Sequence, residues 1–300
     1  MTVGVLLMAH GTPASTGEIA PFYTRIRRGR PPTPEQLAEL EGRYAAIGGV
    51  SPLALRTAAQ VAAVRAALEA RRPGHYMVSF GAKHTDPLIE EAAEELGAAG
   101  VERVIGLVLA PHGSSLGSQE YLDRAAAALG ATPFVPVEPW YDFPTLVTLL
   151  AGRVKDAVRT VPGQARVIFT AHSLPERIRE TGDTYPEQLT ESARLVATAA
   201  GLDDWLVAWQ SAGRTAEPWL GPDVRDVVRD LAADDRTDAV VICPIGFVAD
   251  HLEVLYDLDI EAAALATTGG LGYARTASLN DDPVFIAALT DLIVAADEGP

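Results

Sequence analysis

Only one cysteine, Cys243, occurs among the 300 residues. A lone thiol excludes a disulfide within the chain and a cluster held by four of its own cysteines, and it suits a reducing cytosol. No GxGxxG or Walker-type run is present, so nucleotide binding has little support. No apolar run is long enough to span a bilayer. The N-terminal run 3–9 is far too short and lacks a basic flank, so it reads as a buried strand rather than a signal peptide. Positive charge is scarce too. Lys and Arg total 24 against 40 Asp and Glu, a formal charge of −16, which argues against a broad nucleic-acid surface. One basic stretch, Arg25, Arg27, Arg28 and Arg30, stands out against that background.

What the chain has is apolar material, 48% of its residues, enough for substantial cores in about two domains. Short β-branched apolar runs alternate with segments of helical period, the pattern of an α/β protein with parallel sheets. Strands are expected over 3–9, 76–80, 104–110, 134–137, 166–171, 205–209 and 239–244. Helices are expected over about 53–70, 86–97, 143–161, 186–200, 223–232 and 282–296. Another begins at Thr33, which can cap, with Pro34 in the first turn and Gln36 completing a capping box.

The sequence also echoes itself. Residues 5–13 read VLLMAHGTP and 167–175 read VIFTAHSLP: an apolar strand, then Ala-His, a small residue, and Pro two further on. VLAPHGS at 108–114 is a weaker echo. Two related halves are implied, meeting near 138–143, with His10, His112 and His172 beyond the carboxyl ends of strands, where open α/β sheets bind ligands.

Imidazole serves as a borderline metal ligand or as a proton acceptor near neutral pH, so His172 is a candidate for either role. The bland alternative is a strand-end histidine that bonds a loop. In the segment 247–266, read as a helix, Asp250, Glu253, Asp257 and Glu261 fall at steps of three and four and line one face. Stacked carboxylates repel unless screened; they form either a solvated acidic face or a path for divalent cations. Oxygen and imidazole ligands suit Fe²⁺, Co²⁺ and Zn²⁺ alike. The stretch YTRIRRGR has no strong period and reads as a loop that either solubilises or clamps an acidic organic ligand through its guanidinium groups. Trp209, at another strand end, either stacks on a flat ligand or belongs to a core.

Three long stretches, AHSLPERIRETGDTYPEQL (171–189), WQSAGRTAEPWLGPDV (209–224) and PIGFVADHLEVLYDLDIE (244–261), with YTRIRRGR and RYAAIGGVSPL, carry a resemblance over nearly the whole chain. The chain resembles the ferrochelatases, most closely the compact soluble type of Gram-positive bacteria that makes coproheme. The resemblance implies two Rossmann-like, chelatase-type domains, each a parallel sheet flanked by helices, with the active-site cleft between them. It implies a first domain over 1–140, a second over 141–279, and a C-terminal helix of about 280–300 packing back on the first. Fe²⁺ would be inserted into coproporphyrin III, or protoporphyrin IX, in heme biosynthesis. His172 and Glu253 would be the metal-handling and proton-accepting pair, Asp257 and Glu261 would continue the acidic path, and Arg27, Arg28, Ser51 and Tyr121 would contact the porphyrin. His10 stands where the Gram-positive enzymes commonly carry Tyr, facing the metal opposite His172, and an imidazole there alters metal preference or product affinity. Iron is then a substrate, no cofactor is permanently bound, no iron–sulfur cluster is carried, and a cytoplasmic monomer is expected. Two other readings remain open: a related chelatase loading Co²⁺ or Ni²⁺ into a sirohydrochlorin-type ring, and a heme or metal carrier without turnover, its pocket made by His10 and His172.

Overall fold

A computed structural model describes residues 2–213 and 215–299. The first half runs β1 (Val3–Ala9), α1 (Ile19–Ile26), α2 (Pro34–Ala46), α3 (Leu53–Arg71), β2 (Tyr76–Ala82), α4 (Ile89–Ala98), β3 (Val104–Val108), α5 (Ser118–Leu129) and β4 (Phe134–Pro136). The second runs α6 (Pro144–Val158), β5 (Ala165–His172), α7 (Tyr185–Ala200), β6 (Trp205–Gln210), α8 (Val224–Ala232), β7 (Ala239–Cys243), α9 (Ala263–Thr268) and β8 (Gly272–Arg275), and α10 (Pro283–Glu298) ends the chain.

Both sheets are parallel and four-stranded, ordered β2-β1-β3-β4 and β6-β5-β7-β8. Numbered from its own first strand, each half has the order 2-1-3-4, so the sequence echo is an echo of topology. The strands are continuous apolar runs because helices cover both faces: β1, β3 and β7 are buried throughout. In each sheet the order reverses at the first strand, the switch point where α/β folds bind ligands. His10 and His172 stand at those two strand ends.

One continuous cluster of buried side chains links the halves, running from β1 and α3 through α6 and α10 to β5 and α7. Through it α10 packs on α3 and α6. Its Asp297 receives Arg72 (2.8 Å), His75 (2.9 Å), Tyr76 (3.0 Å) and Arg103, all from the first half of the chain.

Four elements depart from the sequence expectation. YTRIRRGR is not a loop: α1 runs through Arg25 to Ile26, and Arg27 to Gly29 form its C-terminal turn, with Arg28 and Gly29 left-handed at φ 55° and 82°. Residues 118–129 form α5, whose first turn lies in PHGSSLGSQEY (111–121), a stretch that reads from sequence as a loop. The edge strand β8 was not anticipated. Within 247–266 the chain winds as a π-helix over Val254–Ala262 before α9, the wide turn often found at functional sites.

Candidate active site

The end of β5 fixes His172. Its Nδ1–H donates to the carbonyl of Ser173, so Nε2 faces outward, 3.5 Å from Glu253 Oε1. The strand end is tied down by the Tyr185 hydroxyl on the His172 carbonyl (3.0 Å) and by the Ser173 amide on the Gln210 carbonyl (2.8 Å). Glu253 sits in the helical turn that opens the π-helix, and its other oxygen lies 3.7 Å from Nε2 of His251, whose Nδ1 is held by the carbonyl of Ala249. One carboxylate thus stands between two imidazoles. Burial pulls the His172 pKa down, but the Glu253 charge and hydrogen bond outweigh it and raise it to about 9. Burial opposes the ionised form of Glu253, yet the charge and hydrogen bond of His172 hold it well below the usual carboxylate range.

His10 stands on the wall built by the first half. Solvent reaches the ring, but it lies deep in a cleft, so desolvation outweighs the nearby Glu253 and lowers its pKa. Its Nδ1–H donates to the Gly11 carbonyl (3.2 Å), which leaves Nε2 as a bare lone pair. The rings of Phe22 and His84 flank it, centroids 6.0 and 4.7 Å away. Burial, then the neighbouring His10, Lys83, Arg124 and Arg25, lower His84 to about 3.

The helices α1 and α2 close the cleft from one side. Ile19 and Tyr44 pack on Leu252, Tyr44 meets the Thr12 hydroxyl (3.4 Å), and Arg43 bonds Asp257 while lying 4.7 Å over the Tyr256 ring.

The acidic stripe is shorter than expected and largely neutralised. Asp250 precedes the helix and is bound by Ser278 (2.6 Å), Asn280 (2.9 Å) and Arg275 (3.3 Å). Asp257, 5% exposed, takes Arg43 and the Ser211 hydroxyl, and Glu261 lies 3.6 Å from Arg225. Among the described residues no three His, Cys, Asp or Glu side chains converge to hold a metal. The expected set of His10, His172, Glu253, Asp257 and Glu261 is therefore one pair, a nearby imidazole and two carboxylates committed to arginines.

Other expected residues divide. Arg27 and Arg28 cap α1, and Arg27 lies over the Tyr23 ring at 5.6 Å. The Ser51 hydroxyl is buried and accepts the Leu53 amide (3.2 Å) at the start of α3. Tyr121 is buried, with Lys83 Nζ 5.0 Å over its ring, and burial raises its pKa. Trp209 is a core residue: its ring is 3% exposed and packs on Tyr185, so it offers no open face for stacking. His112 is core as well, lowered to about 3 by burial and bonded to Ser192 (2.9 Å). A cavity of about 760 Å³ lies beside it, between α5, the end of β4 and a 3₁₀ turn at Glu176–Thr181. None of His10, His172 and Glu253 lines that cavity, and its Asp183 is already saturated by Ser114, Ser115 and the Tyr185 amide. Sequence reasoning passed over Arg43, Tyr44, Gln210 and His251, although all four lie inside the quoted stretches; His251-x-Glu253 was the one spacing signal available.

A ferrochelatase family profile matches residues 2–297. The coproporphyrin III ferrochelatase of Bacillus subtilis (strain 168) is 45% identical over 300 residues, covering 97% of each chain. That of Geobacillus thermodenitrificans (strain NG80-2) is 44% identical over 301 residues, covering 98% of this chain and 95% of its own. Among solved structures, SirB from Bacillus subtilis with Fe³⁺ has a TM-score of 0.61 at 15% identity, covering 99% of this chain and 96% of its own. CbiX, the terminal enzyme of siroheme biosynthesis in denitrifying bacteria, has 0.57 at 16%, covering 98% and 99%. These last two establish the two-domain chelatase fold and nothing of the substrate.

Proposed function

The chain belongs to the ferrochelatase family, and we propose that it inserts Fe²⁺ into coproporphyrin III to give coproheme, with His172 and Glu253 as the pair that does the chemistry. The carrying observation is their juxtaposition at 3.5 Å, with His10 close enough to feel the charge of both. Metal insertion breaks two pyrrole N–H bonds, forms bonds from iron to the ring nitrogens, and releases two protons. Glu253, ionised and acceptor-only, is the anionic ligand that draws the arriving cation. His172 is held as the imidazolium by that carboxylate until the dication neutralises Glu253, removes the charge that raised the histidine and sends its proton to solvent. The neutral Nε2 then receives the two pyrrole protons in turn and passes each to solvent. His10 presents a neutral nitrogen from the other side of the ring.

The substrate reading follows the relatives' shared name and the α1 arginines, whose charge suits a ring with four propionates. Iron and porphyrin are substrates, no resident cluster takes part, and one chain supplies both walls. The lone buried thiol suits the cytosol, and among the described residues no helix is long and apolar enough to cross a membrane.

Anaerobic turnover with Fe²⁺ and, separately, coproporphyrin III and protoporphyrin IX tests this, because metallation collapses the free-base visible spectrum. Multiple turnovers are expected, faster on coproporphyrin III, with His172→Ala and Glu253→Ala each slower by roughly 10²-fold or more. Conversion that stops at one equivalent would replace the enzyme by a carrier.

A further inference from the structure

Gln210, 1% exposed, is a buried side chain that touches the supports of both members of the reacting pair. As the last residue of β6 it stands in register with His172, and its carbonyl accepts the Ser173 amide at 2.8 Å. Its side-chain Nε2 donates to the backbone carbonyl of Glu253 at 3.3 Å, and its Oε1 accepts the hydroxyl of Thr170 at 2.9 Å. The amide has only one chemically sensible orientation, because a carbonyl at Glu253 needs a donor and a hydroxyl can serve the oxygen. Thr170 and His172 lie two apart on β5, so they share a face; Thr170 is fully buried beneath the histidine. The π-helix that carries Glu253 touches β5 through no ladder of its own. The Thr170–Gln210–Glu253 chain is a direct hydrogen-bonded link between the two.

We propose that Gln210 is a positioning residue that sets the separation of His172 and Glu253, with Thr170 orienting its amide; this rests on the metallation reading above. The amide acts through the backbone at Glu253 and touches no reacting atom. Its loss lets the first turn of the π-helix drift from the strand end, and small misplacements of a reacting pair cost large factors in rate.

The test is anaerobic metallation by Gln210→Met, which keeps length and apolar bulk but neither hydrogen bond, and by Thr170→Val, which keeps the amide but frees it. Thr290→Val is the control: it removes a comparably buried hydroxyl, bonded to the Ile286 carbonyl on α10, remote from the cleft. Expected is a fall in kcat of about tenfold or more for Gln210→Met with the porphyrin KM within about twofold, the signature of an interaction expressed in the transition state. Thr170→Val falls less, in the same sense, and Thr290→Val keeps kcat. A Gln210→Met kcat that follows only the folded fraction, as the control does, overturns the proposal. If Gln210→Met does not fold, Thr170→Val decides it alone: reduced kcat at constant KM supports the link, unchanged kcat breaks it. Wild-type protein that fails to turn over refutes the metallation reading; a normal wild type with an unaffected Gln210→Met refutes only this one.

Discussion

Glu253 has two imidazoles for neighbours and only one negative charge to share. His172 sits above its ordinary value of 6.5, so its half of the pairing is complete below that pH and is lost as pH rises through about 9. Glu253 sits below its ordinary 4.5, so its half is present above that value and disappears as pH falls through the lower folded value. The charged pair is therefore intact at neutral pH and erodes toward alkaline conditions. Glu253→Gln removes the charge that overcomes burial, and His172 should then titrate at or below its ordinary 6.5. Ring-proton NMR across pH 5 to 10 reads this directly, and a titration that stays near 9 would show that Glu253 is not the cause. Local pattern marked His172 as a strand-end histidine and Glu253 as one of four carboxylates on a helix face; only the family resemblance singled the two out as a pair. Arg43 and Gln210 went unmarked, because their roles arise from contacts 214 and 43 residues distant, which no local period encodes.

At the scale of elements, the apolar runs of β1, β3, β5 and β7 were readable because burial on both faces leaves an uninterrupted hydrophobic signature. The α2 start was readable because Thr33 and Gln36 do form the reciprocal capping box. The edge strand β8 is only four residues, half-buried, and begins with glycine, so it carries no such mark. The helix α1 hid behind Pro21 and its arginines, and α5 behind serines. The π-helix was read as an α-helix because both windings accept the same composition. The final helix is the element whose anchoring can be tested in isolation. The buried Asp297 carboxylate is opposed by desolvation but held below its ordinary 3.8 by His75, Arg103 and Tyr76, so its contribution is present above that pH and fades as the solution is acidified through the folded value. Asp297→Asn leaves two arginines without their counter-charge; because these are partly exposed, the loss is about 2 kcal/mol rather than that of a wholly buried pair. Urea unfolding should show a lower midpoint at neutral pH with metallation per folded molecule unchanged, and an unchanged midpoint would mean that α10 is held by its apolar face alone.

At the scale of the whole molecule, a formal charge of −16 treats the two substrates in opposite ways. It concentrates a divalent cation near the surface and repels a porphyrin bearing ionised propionates, while the arginines around α1 supply a local reversal of sign. The stripe does not conduct cations as bare carboxylates would, since Asp257 and Glu261 are matched by Arg43 and Arg225. On the proposed reading, capture of the metal leans on the summed field and on Glu253. Fields from surface charge reach about 30 Å at 0.01 M salt and about 8 Å at 0.15 M. Raising ionic strength between those limits should increase the KM for Fe²⁺ by roughly severalfold, as expected for a steered encounter, with kcat unaltered. The porphyrin KM should move less, because long-range repulsion and short-range attraction weaken together. Substituting Arg27 and Arg28 by Gln should then leave only the repulsion, so that added salt lowers the porphyrin KM of that variant. A metal KM indifferent to salt would place metal selection wholly within contact distance of Glu253, and the acidity of the surface would be a matter of solubility alone.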